Sequence, residues 1–411
     1  MTELLRITIL ALNLVLMLYG IYFAWITLGT LARYKSHPAA PPAHRFALVI
    51  AARNEELVIG NLIDSLKNQN YPKELYDIYV IPNNCTDGTR DVAVARGALI
   101  FDGSSKIRSK GDALREFFGH QLARQGSQAS QASKVSKADY DAYCIFDADN
   151  VASPQFLAEM NNAMAAGVKI AQGCHDSKNP YDTFMSGCYT IYYLVANRIY
   201  NQSRKAFGLS ALICGSGFLV STDTLQKLGG WTTITITEDT ELTVQCALIG
   251  EKVHYVKEAV IYDEQIQSFG LSWKQRRRWS TGSYQVLWAY GRKLLAPSTC
   301  KNLKDRLDIF LFLVAPPLQV VYLVLFALLA SLGAFYFILG LLIFSYLTCF
   351  GIAVAVVLLE QKNLRRMWKG VASFWILIMS WIPINAICLF HQQTVWQPIQ
   401  HNRTIRIEDI E

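Results

Sequence analysis

The nine cysteines of this 411-residue chain include no C-x-x-C pair. They stand in unrelated contexts such as "NNCTDGT", "YCIFDAD" and "LICGSG". That excludes a zinc module and argues against a disulfide frame, so reduced, buried thiols are expected. Charge is also scarce. Asp, Glu, Lys and Arg make up 17% of the chain, against 52% hydrophobic residues, and the mean hydropathy is +0.20. Such a chain is too apolar for an ordinary soluble enzyme and too charged for a pure membrane bundle. One soluble domain joined to several membrane spans is expected. No fold motif for nucleic acid is present. The net charge of +7 therefore points to a membrane surface or a phosphate-bearing substrate.

Leu4 to Leu31 carries one charge, Arg6, and no cleavage site follows it. It is long enough to cross a bilayer core of about 30 Å, so it reads as a retained anchor. Arg33 and Lys35 on its C-terminal flank place the following domain in the cytoplasm. Asp308 to Glu360 is almost uncharged, enough for two spans with a hairpin at Ser331 to Ala334. After a basic loop, Gly370 to Phe390 gives a third, with a re-entrant alternative around Pro383. The expected organisation is an anchor and linker (1–42), a cytoplasmic catalytic domain (43–262), amphipathic interfacial helices (263–307), about three spans (308–392) and a tail (393–411). This describes a multi-pass protein of the cell membrane.

Between the spans, strand and helix patterns alternate. "RFALVIAARNEE", "LYDIYVIPNNCTDGT" and "YDAYCIFDADN" read as strands ending in polar loops. "ELVIGNLIDSLKNQ", with Leu57, Leu62, Ile63 and Leu66 at helical spacing, and "RDVAVARGA" read as helices. This is the pattern of an open α/β sheet, which binds ligand at the carboxyl ends of its strands. Arg124 to Ala138 is a polar, low-complexity insert read as a surface loop.

Four stretches carry chemistry. Asp147 and Asp149 of "DAD" end a strand and share a side, which suits a hard divalent cation on phosphate oxygens; DxD alone is also a common solvated turn. "TITITEDTEL" places Glu238, Asp239 and Glu241 in a first helical turn with Thr237 as N-cap, where a carboxylate base could be held rigidly. "GSSKIRSKGDAL" offers Lys106, Arg108 and Lys110 before a helix, a setting for diphosphate or a solvated basic loop. "LICGSGFLVS" is an apolar strand broken at Gly215-Ser216-Gly217, either a plain turn or a close approach of backbone to ligand. Finally, "SWKQRRRWSTGSY" is basic and aromatic. If Leu271 to Gly291 is helical, Gln275, Arg278 and Trp279 share one face while Trp273, Lys274, Arg276 and Arg277 point elsewhere. An interfacial helix with Trp at headgroup depth and Arg on lipid phosphate explains the composition. A diphosphate grip by Gln and Arg, with an indole under a sugar, explains the shared face.

In order, "AARNEE", "NNCTDGT", "SKGDAL", "DAD", "CGSG", "TED" and "QRRRW" resemble the membrane-embedded family 2 glycosyltransferases, which include hyaluronan, chitin, cellulose and poly-N-acetylglucosamine synthases. The resemblance covers roughly residues 43–288. It implies a GT-A (Rossmann-like) domain beside α-helical transmembrane segments, and inverting, single-displacement transfer from a nucleotide sugar. Carried over by position, Asp147 holds the nucleotide and Asp149 ligates Mg²⁺ or Mn²⁺. Lys110, Gln275 and Arg278 grip the diphosphate, and Asp239 is the general base. Trp279 floors the acceptor site, which Cys214, Gly215, Ser216 and Glu238 line. Where the family has an Asp for the base N3–H, this chain has Asn83 and Asn84. An Asn carbonyl still accepts that bond, Asp87 remains nearby, and UDP is the expected nucleotide.

The resemblance implies first a processive synthase extruding a β-linked polysaccharide, and second a transferase adding one or a few sugars to a lipid acceptor. An inactive scaffold would have lost the DAD or TED acids. A channel would carry paired charges within its spans. The expected partners are a nucleotide sugar, a glycan or lipid acceptor and membrane lipids, without nucleic acid. The sugar, the oligomeric state and any accessory subunit leave no mark in the sequence.

Overall fold

The computed structural model describes residues 2–104, 107, 109–129, 140–297, 302–392 and 404–410. Lys106, Arg108, most of the polar insert and most of the tail lie outside the described residues.

Eight strands form one sheet: β1 (Phe46–Ala52), β2 (Tyr76–Pro82), β3 (Leu99–Ile100), β4 (Ala142–Asp147), β5 (Val151–Ala152), β6 (Ile170–Ser177), β7 (Phe218–Ser221) and β8 (Val253–Asp263). Their order is β3-β2-β1-β4-β7-β6-β8-β5. The first four are parallel, as the alternating pattern predicts. Beyond β4 the sheet is mixed, because β7 runs antiparallel to both β4 and β6. The strand order reverses at β1, so the carboxyl ends of β1 and β4 flank a crevice.

The helices are α1 (Thr2–Thr27), α2 (Ile59–Lys67), α3 (Thr89–Ala95), α4 (Lys110–Ala129), α5 (Phe156–Ala165), α6 (Phe184–Val195), α7 (Ser203–Ala206), α8 (Thr222–Lys227), α9 (Glu238–Leu248), α10 (Phe269–Leu295), α11 (Leu303–Leu313), α12 (Ala315–Ser331), α13 (Phe335–Leu359), α14 (Leu364–Met379) and α15 (Trp381–Phe390). β1 is an unbroken apolar run because both its faces are covered. Phe46, Leu48 and Ile50 pack on α2 and α5. Ala47 and Val49 face the opposite layer, with Phe117 of α4 and Leu242 of α9. Leu57 does not join the α2 face, because the helix begins at Ile59 and Leu57 is exposed.

Among the described residues, Arg6–Leu31, Phe335–Leu359 and Leu364–Phe390 are long and apolar enough to cross a membrane. α11 and α12, bent by 45° at Val314, make a fourth if taken together. The α12–α13 turn falls at the expected hairpin. Pro383 sits in the first turn of α15, where its missing N–H leaves no bond unmade. Two expectations are corrected. Asp308 does not mark the end of a span; it is mid-α11 and fully buried. Arg276 does not reach lipid phosphate; it is buried and donates to Leu377 O (2.8 Å) and Ser380 Oγ (2.7 Å). There it satisfies one carbonyl and one hydroxyl at the end of α14, where a cation is favoured.

The apolar helices dock tightly on the sheet domain. α6 crosses α14 where two glycines meet: a Cβ on Gly370 would lie 2.8 Å from the Gly187 carbonyl carbon. Such small-residue contact lets backbones approach where side chains would hold them apart.

Candidate active site

The carboxyl ends of β1 and β4, the start of α9 and one face of α10 enclose a cavity of about 640 Å³. Asn83, Lys110, Asp147, Asp149, Cys214, Gly215, Ser216, Glu238, Asp239, Gln275, Arg278 and Trp279 all line it. Asp87 does not. Its carboxylate accepts from Thr89 N and Oγ1 and from Glu56 N, so it braces the loop before α3.

Lys110, the first residue of α4, reaches across the cavity. It is ion-paired with Asp147 Oδ1, donates to Gly215 O at 2.7 Å and lies 4.0 Å from Glu238 Oε1. The carbonyl that accepts from Lys110 belongs to Gly215, whose φ is +82°, a region costly for a residue with Cβ. Burial alone would lower the Lys110 pKa, but Asp147 and then Glu238 outweigh it and raise it.

Glu238 and Asp239 face the cavity while protein closes around them. Burial pushes the Glu238 carboxyl up to about 7, against the opposing pull of Lys110 and with the Asp239 charge adding to the rise. Burial also raises Asp239, against the Thr240 N–H, Lys110 and Arg278. Asp239 Oδ1 accepts from Thr240 N at 2.7 Å, which fixes the carboxylate with Oδ2 turned toward Gly215. Thr237 occupies the N-cap position without a side-chain cap bond. The reason is packing: a Cβ on Gly282 of α10 would meet Thr237 Oγ1 and Cγ2, so this side chain is pressed onto α10. Glu241 turns away from the cavity. It accepts from Ile234 N (2.8 Å), Thr235 N (2.7 Å) and Tyr290 Oη (2.7 Å) and pins the preceding loop.

At the other end, Asn83 is buried and its Oδ1 has no hydrogen-bond partner among the described residues. Asn84 is turned aside in a left-handed conformation and donates to Ile107 O. On α10, Gln275 Oε1 is likewise buried and without a partner among the described residues. The Trp279 ring lies within 20° of parallel to those of Tyr192 (centroids 6.1 Å) and Trp381 (6.2 Å). Burial raises the Cys214 thiol to about 12, with the Asp239 charge acting in the same direction.

A second layer stands behind the DAD carboxylates. Asp263, at the end of β8, accepts from Asn150 Nδ2 (2.6 Å) and pairs with His175 Nδ1 (2.7 Å). Burial raises Asp263, His175 opposes this, and Asp149 and Asp147 raise it further. Among the described residues, no group of three His, Cys, Asp or Glu side chains is arranged to hold a metal alone. Asp147 and Asp149 fit a divalent cation that takes its other ligands from diphosphate and water, as Mg²⁺ commonly does. The crowded negative charge at Asp263 is the feature such a cation would relieve.

The sequence motifs pass over His175, Asp263, Tyr192, Tyr193, Gln319, Trp381 and Asn385, all of which line the same cavity. Only the tyrosines carried a signal, the helical spacing of Tyr189, Tyr192 and Tyr193.

The family model described as "Glycosyltransferase like family 2" matches residues 41–282. The β-monoglucosyldiacylglycerol synthase of Synechocystis sp. is 25% identical over 276 residues, covering 66% of this chain and 54% of that protein. The poly-β-1,6-N-acetyl-D-glucosamine synthase of Staphylococcus epidermidis is 22% identical over 242 residues, 59% of this chain and 55% of that protein. The chain thus spans about half the length of these curated relatives. The mannosyltransferase PcManGT of Pyrobaculum calidifontis, solved with GDP-Man and Mn²⁺, superposes with a TM-score of 0.58 at 16% identity over 94% of this chain and 99% of that one, which shows the shared fold. With the family model matching more than half the chain across the DAD, TED and QRRRW stretches, this protein belongs to glycosyltransferase family 2 and has the GT-A fold.

Proposed function

We propose that the chain transfers a sugar, with inversion, from a nucleotide sugar to a hydroxyl of an acceptor held in the membrane. The observation that carries this is the continuity of the cavity. It runs from Asp147 and Asp239 to Phe312 and Pro316 at the α11–α12 bend and to Ile378 and Trp381 at the α14–α15 junction. A water-soluble acceptor gains nothing from an apolar wall, whereas a lipid-linked acceptor buries its apolar part there. The glycolipid synthase among the relatives agrees with this reading. Processive extension of a β-linked glycan is the second reading. The row of rings Tyr192, Trp279 and Trp381 favours it, as does the poly-N-acetylglucosamine synthase relative.

In this mechanism the unpartnered Asn83 Oδ1 accepts the N3–H of a uracil base. Lys110, Gln275 and Arg278 hold the diphosphate. Asp149 and Asp147 would hold Mg²⁺ or Mn²⁺, which when bound would supply neutralisation of charge on the leaving diphosphate; PcManGT was solved with Mn²⁺. Trp279 supports the acceptor sugar or headgroup with its ring face. Asp239 takes the proton of the attacking hydroxyl, and attack opposite the departing diphosphate inverts the anomeric carbon. Glu238, beside it, raises the proton affinity of the pair.

The test uses the full chain in lipid nanodiscs with Mg²⁺ or Mn²⁺ and a panel of nucleotide sugars. Nucleoside diphosphate release that requires a lipid acceptor and yields a discrete glycolipid supports the first reading. A long, polydisperse product from the donor alone supports the second. No transfer from any donor would sink both.

Two further outcomes are expected. Trp279→Ala raises the acceptor KM about tenfold, the scale of a lost aromatic contact, and changes the donor KM less. A larger donor effect moves Trp279 to the donor site. The pH profile follows from the raised carboxylates. A base works only when ionised, so a raised pKa carries the acid limb of kcat above the ordinary carboxylate range of about 4. A wild-type acid limb near pH 4 contradicts the assignment.

A further inference from the structure

The membrane end of the cavity holds two amides among apolar side chains. Asn385 of α15 is 1% exposed. Its Nδ2 donates to Gln319 Oε1 of α12 at 2.7 Å, and its backbone carbonyl accepts from Tyr284 Oη at 3.2 Å. Among the described residues its Oδ1, which is buried, has no hydrogen-bond partner, although the residue lines the cavity. A buried amide oxygen left unpaired among apolar helices is costly, and polar side chains at such positions are a mark of function. Trp381 lies one turn before Asn385 on the same face of α15, and its ring continues the row that begins beside Asp239.

The chemistry of the missing partner follows from what surrounds it. None of the cavity-lining residues contributed by α11 to α15 carries a formal charge. A phosphate or carboxylate placed here would find no cation on α11 to α15, in an apolar setting; the lining cation Arg278 belongs to α10. The pair presents an acceptor, Asn385 Oδ1, and a donor, Gln319 Nε2. A hydroxyl is the group that serves both, donating to one and accepting from the other.

We infer that Gln319 and Asn385 form an acceptor subsite, remote from the point of bond formation, for a hydroxyl of an uncharged membrane amphiphile. The hydroxyl is that of a glycerol or of a neutral sugar headgroup. This deepens the membrane-acceptor reading above and rests on it. A clamp between α12 and α15 alone accounts for the Gln319–Asn385 bond but leaves the Asn385 Oδ1 unexplained.

The test is retention of lipid by the full chain in nanodiscs doped equally with dioleoylglycerol, its monoglucoside and dioleoyl phosphatidic acid, read by native mass spectrometry. The wild type is expected to retain one of the two neutral lipids over phosphatidic acid, and which one names the source of the hydroxyl. Asn385→Leu should lower that retention about tenfold, the scale of one buried hydrogen bond, without changing phosphatidic acid. Asn385→Ser, which keeps a small acceptor, should recover part of it. Melting temperature and nucleoside diphosphate affinity report folding. If Asn385→Leu does not fold, Gln319→Leu is read in the same way. Wild-type preference for phosphatidic acid, or unchanged neutral-lipid retention in the folded variant, overturns the subsite. The two proposals separate cleanly. Retention that depends on Asn385 without any sugar transfer defeats the acceptor reading alone. Equal transfer to the retained lipid by wild type and Asn385→Leu defeats the subsite alone.

Discussion

Asp239→Asn is expected to lower kcat by about 10³-fold while nucleotide affinity stays near wild type. General-base catalysis contributes roughly 10²–10⁴-fold, and an amide cannot take the proton of the attacking hydroxyl. The substitution is nearly isosteric. Asn keeps an oxygen for the Thr240 N–H that orients the wild-type carboxylate, so geometry is preserved while basicity is lost. Nucleotide binding should survive because Asn83, Lys110 and Arg278, which also line the cavity, are left intact. Removing one negative charge beside Lys110 and Arg278, both of which act on Asp239, should if anything tighten the diphosphate. Calorimetry with the nucleoside diphosphate beside single-turnover transfer separates these effects. Wild-type turnover in Asp239→Asn would refute the assignment of the base.

Asp308→Ala is expected to cost about 3–5 kcal/mol of stability, the usual result of stranding one partner of a buried ion pair. Arg204 Nε donates to Asp308 Oδ2 at 2.7 Å and Nη2 to Oδ1 at 3.2 Å, and both side chains are fully buried. Tyr22 Oη of the first apolar helix donates to the same carboxylate at 2.7 Å, and the guanidinium lies 4.8 Å from the Tyr200 ring centroid. One carboxylate thus ties α1, α7 and α11 together. Its loss should loosen the N-terminal helix from the catalytic domain as well as lower the melting temperature. The double variant Arg204→Met with Asp308→Leu should recover most of the stability, because paired apolar replacement removes the desolvation cost together with the attraction. Equal instability in the single and double variants would show that packing shape, not the stranded charge, matters at this junction.

The parts of this protein legible in its sequence are those whose signal is local. The apolar run in "RFALVIAA" gives β1, and the polar residues after β1, β2 and β4 mark the rim of the crevice. Helical spacing puts Gln275, Arg278 and Trp279 on one face, and the DAD and TED carboxylates belong to a strand end and a helix start wherever those elements lie. Within such stretches the backbone period alone decides which side chains share a face. What period cannot supply is the partner of that face. His175 meets Asp263 across 88 residues only because β6 lies beside β8. Arg276 leaves its expected place at the membrane surface because α14 ends beside it. Thr237 gives up its cap because Gly282 opens a seat for it on α10. Asn385 and Gln319 are single polar residues in apolar runs until the packing of α12 on α15 brings them into one cavity. Burial makes each of these polar groups find a partner or hold a place for one, and the tertiary packing alone decides which.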